Sequence, residues 1–190
     1  MAAFDLVMVL LSFVFALALT HLLSRLGTLM FAAERAKFSL LLSLAMLNAT
    51  ALVLCDWLVL WDEHGISQWN LASIAVNFTL AISVFFVCAA VAPEAQANNS
   101  VDMEAYYWRN RRSIWITAAA SNGVALAANF IFLETPNTAL FLQTTLATLP
   151  FFVPCALALA IPARWAQWVS GVALFALTVG FTIAFSGTLR

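Results

Sequence analysis

Charged residues are scarce in this sequence, and that scarcity excludes most kinds of soluble protein. Only 9% of the 190 residues are Asp, Glu, Lys or Arg, whereas 64% are hydrophobic, and the mean hydropathy is +0.97. A soluble domain is typically about 25% charged and about half apolar. The composition therefore predicts an integral membrane protein. The net charge of −1 and the absence of a long basic run give no reason to expect nucleic-acid binding.

Residues that commonly carry catalytic chemistry are also few. Lys37, the only lysine, falls in a polar link, so no apolar run contains a lysine for a retinal Schiff base. His21 lies near the end of the first apolar run and His64 in a link, which argues against a haem held by two histidines. No serine, histidine and acid are spaced for proteolysis, and no glycine-rich phosphate loop is present. We therefore expect neither an enzyme nor a bound cofactor.

Six apolar runs follow one another along the chain, each long enough to cross a bilayer. At a rise of about 1.5 Å per residue, a crossing needs about 20 residues. We predict a single all-α domain over 1–190, a bundle of six transmembrane helices at 4–27, 40–61, 69–92, 113–133, 138–161 and 165–185. The first run lacks a basic start and is too long for the apolar core of a secretory signal, so we interpret it as a retained helix. The second half of the long link 93–112 is expected to be a helical lead-in to the fourth span.

The basic residues predict the orientation of this bundle. Seven of the eight fall in the first, third and fifth links or beside them, and only Arg190 falls on the other side. Because cytoplasmic loops are enriched in Lys and Arg, both termini should be non-cytoplasmic and the loop 93–112 cytoplasmic. We expect a multi-pass protein of the cell (inner) membrane.

Asp56 is the acid placed well inside an otherwise apolar run. An ionised Asp in a membrane helix costs about 3 kcal/mol on insertion scales, so such a residue invites a functional explanation. Counting from the outer helix ends places Asp56, Asn77, Asn129 and Gln143 at a similar depth of about 7–12 Å. These four side chains are expected to form an outer polar layer that attracts a cation or exchanges a proton, with Asn48 and Asn122 extending the path towards the midplane. The alternative is structural: Asp56 is neutral or hydrogen-bonded to an amide and fixes the helix register, because amides and small residues commonly mediate helix packing in lipid.

Two further groups of residues have weaker signals. Counted from the outer helix ends, His21, Cys88 and Cys155 lie at a similar depth of about 25–29 Å. Imidazole and thiolate groups are suitable ligands for zinc or copper(I). No local ligand spacing supports a metal, and an interfacial His21 beside Arg25 is the plain alternative, so the metal stays unknown. All three cysteines lie in apolar runs, and such an odd set is not a disulfide framework.

A basic and aromatic segment precedes the fourth span. Its candidate contact residues are Tyr106, Trp108, Arg109, Arg111 and Arg112. Near anionic lipid each basic residue contributes about 1 kcal/mol, so anchoring at the membrane surface is the simplest interpretation. Docking of a cytoplasmic partner is the alternative.

Two functions fit these observations. The first is a small channel or permease for an ion or small polar solute, built around Asp56, with Pro150 and Pro154 loosening the fifth span where a path bends or gates. The second is a non-catalytic subunit or scaffold of a larger membrane complex, in which prolines and amides serve packing. We expect membrane lipid and either a homo-oligomer or a membrane-complex partner to surround the bundle, and no nucleic acid.

Overall fold

The computed structural model describes residues 3–31, 37–62, 70–93, 102–132 and 145–185, and these residues form helices with no strand among them. The all-helical prediction is confirmed. The helices are α1 (Ala3–Phe31), α2 (Leu40–Asp62), α3 (Leu71–Val91), α4 (Met103–Phe132), α5 (Thr145–Ala160) and α6 (Arg164–Phe185). The start expected for the fifth span, 138–144, lies outside the described residues.

Local sequence determines where several helices begin and end. Asn70 caps α3 in a reciprocal pair: its Oδ1 accepts from the Ser73 amide at 2.8 Å, and the Ser73 hydroxyl oxygen accepts from the Asn70 amide at 3.1 Å. Asp102 caps the start of α4 with a single hydrogen bond, in which its Oδ1 accepts from the Ala105 amide at 2.9 Å. The helical lead-in expected before the fourth span forms the first turns of α4. Within α5, a 3₁₀ turn covers Leu149–Phe151, where Pro150 cannot donate an α-helical hydrogen bond.

The outer surface of the bundle is apolar. Four helices, α1, α2, α3 and α6, are long and apolar enough to cross a membrane. Their outward faces expose large hydrophobic side chains such as Phe13, Leu17 and Ile183, each more than 60% exposed. Monomeric soluble proteins rarely expose apolar surface on this scale, so the chain is a membrane protein. The helix α4 is more polar than these four because its first turns carry charged residues, and α5 is shorter.

Five of the helices form a closed ring. Going round the ring, α2 packs on α3, α3 on α4, α4 on α5, α5 on α6, and α6 on α2 again. The first helix, α1, packs outside this ring against α3 and α2. The largest buried core lies at that double layer, where Leu11, Leu42 and Val84 are almost fully enclosed.

Contacts between helices give their relative directions. Asn48 of α2 bonds to Gly171 of α6, and Cys55 lies beside Thr182, so α2 and α6 run parallel. In contrast, α4 runs antiparallel to α5, because Asn122 lies beside Cys155 and Asn129 beside Thr148. Three basic side chains, Lys37, Arg111 and Arg164, gather at one end of the bundle. We call this end the basic end, and the opposite one, to which Asp56 is closer, the Asp56 end.

Candidate functional site

The ring encloses a cavity of about 40 Å³ between α2, α3, α4 and α6. One face of α2 forms one wall of the cavity. The residues on this face recur every three or four positions, and they run from Leu41 through Asn48 to Leu52. Opposite lie Ala118 and Asn122 of α4. Most of the lining is apolar, so its few polar atoms decide what the cavity can hold.

Asn48 is the polar side chain at the centre of this wall, and it is only 8% exposed. Its Nδ2 donates to the backbone oxygens of Leu44 and Gly171, both at 3.0 Å. Its Oδ1 is buried and accepts no hydrogen bond within the described part of the chain. An unpartnered buried polar atom costs about 1–3 kcal/mol, so this oxygen destabilises the fold as it stands.

Gly171 lets α6 approach α2 closely enough for this amide bond. A Cβ at position 171 would lie 2.7 Å from Cδ2 of Leu44, which is shorter than any real carbon contact. The same test at Gly180, further along α6, finds open space. The glycine at 171 therefore brings the Gly171 carbonyl within reach of Asn48 and keeps Leu44 in place on the cavity wall.

Asp56 lies on the same face of α2, one helical turn beyond Leu52. Its side chain is half-buried, and its Oδ2 is enclosed with no hydrogen-bond partner among the described residues. The neighbouring Cys55 thiol lies beside Thr182 of α6. The α2 face thus carries two unpartnered oxygens, one in the cavity wall and one beyond its end.

Of the remaining residues of the expected polar path, one lines the cavity and others lie elsewhere. Asn122 lines the cavity opposite Asn48, and its Nδ2 lies 4.0 Å from the Cys155 sulfur. Asn129 donates to the Thr148 hydroxyl at 3.2 Å instead of reaching Asp56. Asn77 is buried on α3 and does not contribute to the cavity wall. Gln143 lies outside the described residues, so the outer polar layer stays a prediction.

At the basic end the cavity is lined by a hydrogen-bonded cluster around Gln167 of α6. The Gln167 Oε1 accepts from the Tyr107 hydroxyl at 2.9 Å and from the Trp115 indole at 2.8 Å. Its Nε2 donates to the backbone oxygens of Ala158 and Ile161, both at 2.9 Å. Gln167 is 1% exposed, and this one side chain connects α4, α5 and α6.

Charged residues surround this cluster. Glu104 accepts from Ser39 at 2.6 Å, from Trp108 at 2.8 Å and from Arg164 at 2.5 Å. The Ser39 hydroxyl, followed by Trp108 and Arg164, holds the pKa of Glu104 below its ordinary value. Lys37 pairs with Asp102 at 3.2 Å, joining the start of α2 to the start of α4. The Ala105 amide, then Lys37, lowers the pKa of Asp102 in the same way.

The residues predicted to contact lipid or a partner are divided between the surface and the interior. Arg109 and Arg112 are exposed, with the Arg109 guanidinium 6.0 Å from the centre of the Tyr106 ring. Arg111 is 8% exposed and donates to the Ala158 carbonyl at 2.6 Å, and so is held within the bundle. The lipid or partner role of this segment stays a prediction.

The three residues weighed as metal ligands are not gathered together. Among the described residues, no three His, Cys, Asp or Glu side chains are close enough to hold a metal ion. His21 of α1 lies against Phe85, with ring centres 6.0 Å apart. Cys155 faces Asn122, and Cys88 is buried on α3.

Neither Gln167 nor Glu104 was predicted from the sequence as a site residue. Gln167 stands at the start of the last apolar run, where a lone amide among apolar residues is the same kind of signal that drew attention to Asn122. Glu104 carries no such signal, because an acid in a polar link is ordinary. Its significance comes from Ser39 and Arg164, which are remote in sequence.

Comparisons of this chain with protein-family models, with curated proteins and with solved structures found no match. Its function is therefore argued from its own residues.

Proposed function

We propose that this protein is a small permease or channel that passes an ion or a small polar solute across the cell (inner) membrane. The observation that carries the proposal is the face of α2, where the Asn48 Oδ1 in the cavity wall and the Asp56 Oδ2 beyond the end of the cavity are buried with no hydrogen-bond partner among the described residues. Leaving such groups unsatisfied among apolar helices is costly. A solute that hydrogen-bonds to them in passing explains why they are present.

We infer that the hydrogen-bonded cluster at the basic end closes the route on that side. Tyr107, Trp115 and Gln167 line the cavity and bond to one another across the helices. Passage therefore requires a second conformation in which Tyr107 and Gln167 separate. The 3₁₀ turn at Pro150 is the point where α5 departs from regular α-helical bonding and can adjust during that change.

Six membrane crossings with both termini non-cytoplasmic fit the helix directions. The parallel pair α2 and α6 and the antiparallel pair α4 and α5 are the relations that six alternating crossings require. The gathering of Lys37, Arg111 and Arg164 at one end supports a cytoplasmic basic end. Fusions to the carboxyl end test this: alkaline phosphatase should be active there and green fluorescent protein dark. The reverse pattern contradicts the topology.

Flux into proteoliposomes tests the transport function. Vesicles containing the protein are challenged with gradients of protons, monovalent cations and small neutral solutes, and empty vesicles give the background. At least one solute should enter faster with the protein present, and Asp56→Asn should abolish that flux. A matched variant is Thr50→Val on the same helix, which removes a hydroxyl bonded to the Met46 carbonyl away from the cavity and should keep the flux. Unchanged flux in Asp56→Asn would exclude the role of Asp56.

A scaffold within a larger membrane complex is the second candidate, and one surface favours it. A groove on the outer side of α3 and α4 is lined by small side chains, including Ala75, Thr79 and Gly123, and a Cβ at Gly123 would meet nothing within 4 Å. Small residues permit close helix approach in lipid, so a partner helix or a second copy of the chain fits there. Cross-linking in native membranes that traps a stoichiometric partner, together with absence of flux, would favour this function.

A further inference from the structure

We propose that the substrate of this permease is a small alkylammonium cation, of about the size of methylammonium, bound in the cavity beside Asn48. The inference rests on the proposed transport function and names the chemical class of its substrate. Four properties of the cavity carry it: the hydrogen-bonding state of its polar atoms, the charges near it, the nature of its walls and its size.

The orientation of the Asn48 amide is fixed by its neighbours. Both groups near one end of the amide, the carbonyls of Leu44 and Gly171, are acceptors, so that end must be the NH₂ group. The other end is therefore the carbonyl oxygen, which has no hydrogen-bond partner among the residues that the structure describes. Asn48 offers the cavity an acceptor and has used both hydrogens of its NH₂ group.

Each of the other donor side chains that line the cavity already donates within the protein, although Asn122 uses only one of its two amide hydrogens. Asn122 donates to the Cys155 sulfur, and Thr178 donates to the Leu174 carbonyl at 3.0 Å. Tyr107 and Trp115 both donate to Gln167, whose own NH₂ group bonds to two carbonyl oxygens. A ligand that only accepts hydrogen bonds gains little here, whereas a ligand that donates meets the Asn48 oxygen.

The electrostatic surroundings favour a cation over a neutral donor. No Lys or Arg side chain is among the described residues that line the cavity. The nearby buried Arg111 donates to the Ala158 carbonyl behind Gln167, at the basic end and away from Asn48 along the helices. Asp56 supplies a carboxylate on the same face of α2, roughly 12 Å further along the helix. Since the polar atoms of Tyr107 and Trp115 face Gln167, what these residues add to the wall is ring surface, which attracts organic cations.

The walls favour an organic cation over a metal ion. A potassium ion exchanges its hydration shell for rings of carbonyl oxygens, and this mostly apolar lining does not provide such a ring. The methyl group of methylammonium instead packs against Leu52, Val87 and Leu174, while its NH₃⁺ group donates to Asn48. The cavity volume of about 40 Å³ agrees with this size, because one water needs about 10–15 Å³ by the same measure. Tetramethylammonium is too large.

Binding to the purified protein tests the site without requiring transport. Isothermal titration with methylammonium chloride should show saturable binding, while potassium chloride, tetramethylammonium chloride and methanol, the neutral isostere, should show none. Asn48→Leu should weaken methylammonium binding about tenfold or more, because the bond to a charged donor is lost. The matched variant Thr50→Val should stay within about twofold of the wild type. Ala118→Val, which narrows the cavity without touching Asn48, should also weaken binding and serves if Asn48→Leu does not fold.

Three results would overturn the proposed substrate. They are an absence of methylammonium binding by the wild type, equal binding of methanol, and unchanged affinity in both Asn48→Leu and Ala118→Val. Uptake of radiolabelled methylammonium into proteoliposomes then separates this inference from the proposed function. Binding without uptake contradicts transport and leaves the site in place, whereas uptake of another ion with no methylammonium binding contradicts the site and leaves transport in place.

Discussion

Gln167 and Asp56 are both polar side chains enclosed by apolar helices, yet their surroundings differ in kind. Gln167 makes four hydrogen bonds, which connect three helices at the basic end. Asp56 has an enclosed Oδ2 with no partner in the described chain, and Asn48, two turns away, also keeps one unpartnered oxygen. The hydrogen bonds at the basic end therefore hold the helices together, whereas the α2 face keeps acceptor atoms that a ligand can bind.

This difference separates two uses of polarity inside a membrane. Hydrogen bonds between membrane helices hold the helices together, and each contributes about 0.6 kcal/mol on average. Unsatisfied polar groups weaken the fold and are retained at functional sites. Stability measurements on variants from the two regions can therefore test which use applies at each position.

The largest expected effect is at Gln167. Replacing Gln167 with Leu leaves the Tyr107 hydroxyl, the Trp115 indole and the Ile161 carbonyl without this partner, while the Ala158 carbonyl keeps its bond from Arg111. We expect the free energy of unfolding to fall by about 3 kcal/mol, measured by titration with sodium dodecyl sulfate from mild detergent micelles.

Ser121→Ala is the control for this variant, because it removes one buried hydroxyl that accepts from Ser83 at 3.0 Å. It should cost about 1 kcal/mol or less. If Gln167→Leu lowers the free energy of unfolding no more than Ser121→Ala does, then the hydrogen bonds of Gln167 do not hold the helices together at the basic end.

The next effect concerns the contact of α2 with α6. In Gly171→Val the new side chain meets Leu44 and forces it towards the cavity, which should cost about 2 kcal/mol of unfolding free energy. Gly180→Val on the same helix meets open space and should change stability by about 0.5 kcal/mol or less. Equal effects of the two variants in the same titration would show that close approach at Gly171 is unimportant.

A smaller effect is expected from Glu104, through pH. Its folded-state pKa lies below the ordinary value of 4.5, so its stabilising contribution is complete above about pH 4.5 and is lost as the pH falls through the folded-state value. Because the side chain is partly exposed, this contribution is about 1 kcal/mol at most. Melting temperature in detergent should therefore fall on acidification below pH 4.5, and Glu104→Gln should reduce that dependence. An identical acid profile in both proteins would exclude the contribution of Glu104.

The sequence predicted the helices of this molecule better than it predicted the contacts between them. The all-helical fold was predictable because long apolar runs cannot satisfy their backbone groups in lipid otherwise. The number of crossings and the orientation of the termini stay predictions. Asn48 and Asn122 were expected along one path, and they do line one cavity, because a lone amide in an apolar run is visible in the sequence.

The basic end was not predictable in the same way. The pairing of Glu104 with Ser39 and Arg164 joins residues about 60 positions apart, and nothing local encodes it. Arg111 resembles the other arginines of its segment, yet it turns inward because the Ala158 carbonyl lies within reach on a helix that comes later in the chain. Contacts of this kind depend on how the helices pack, which residue spacing alone does not determine.

The unfolding free energy of Asp56→Leu tests the central claim most directly. If the carboxylate serves a passing solute and stabilises nothing, replacing it with an apolar side chain of similar size should leave the free energy of unfolding unchanged or raise it by about 1 kcal/mol. A loss of more than about 1 kcal/mol in the same titration would show that Asp56 is a structural partner within the bundle, and would contradict the account.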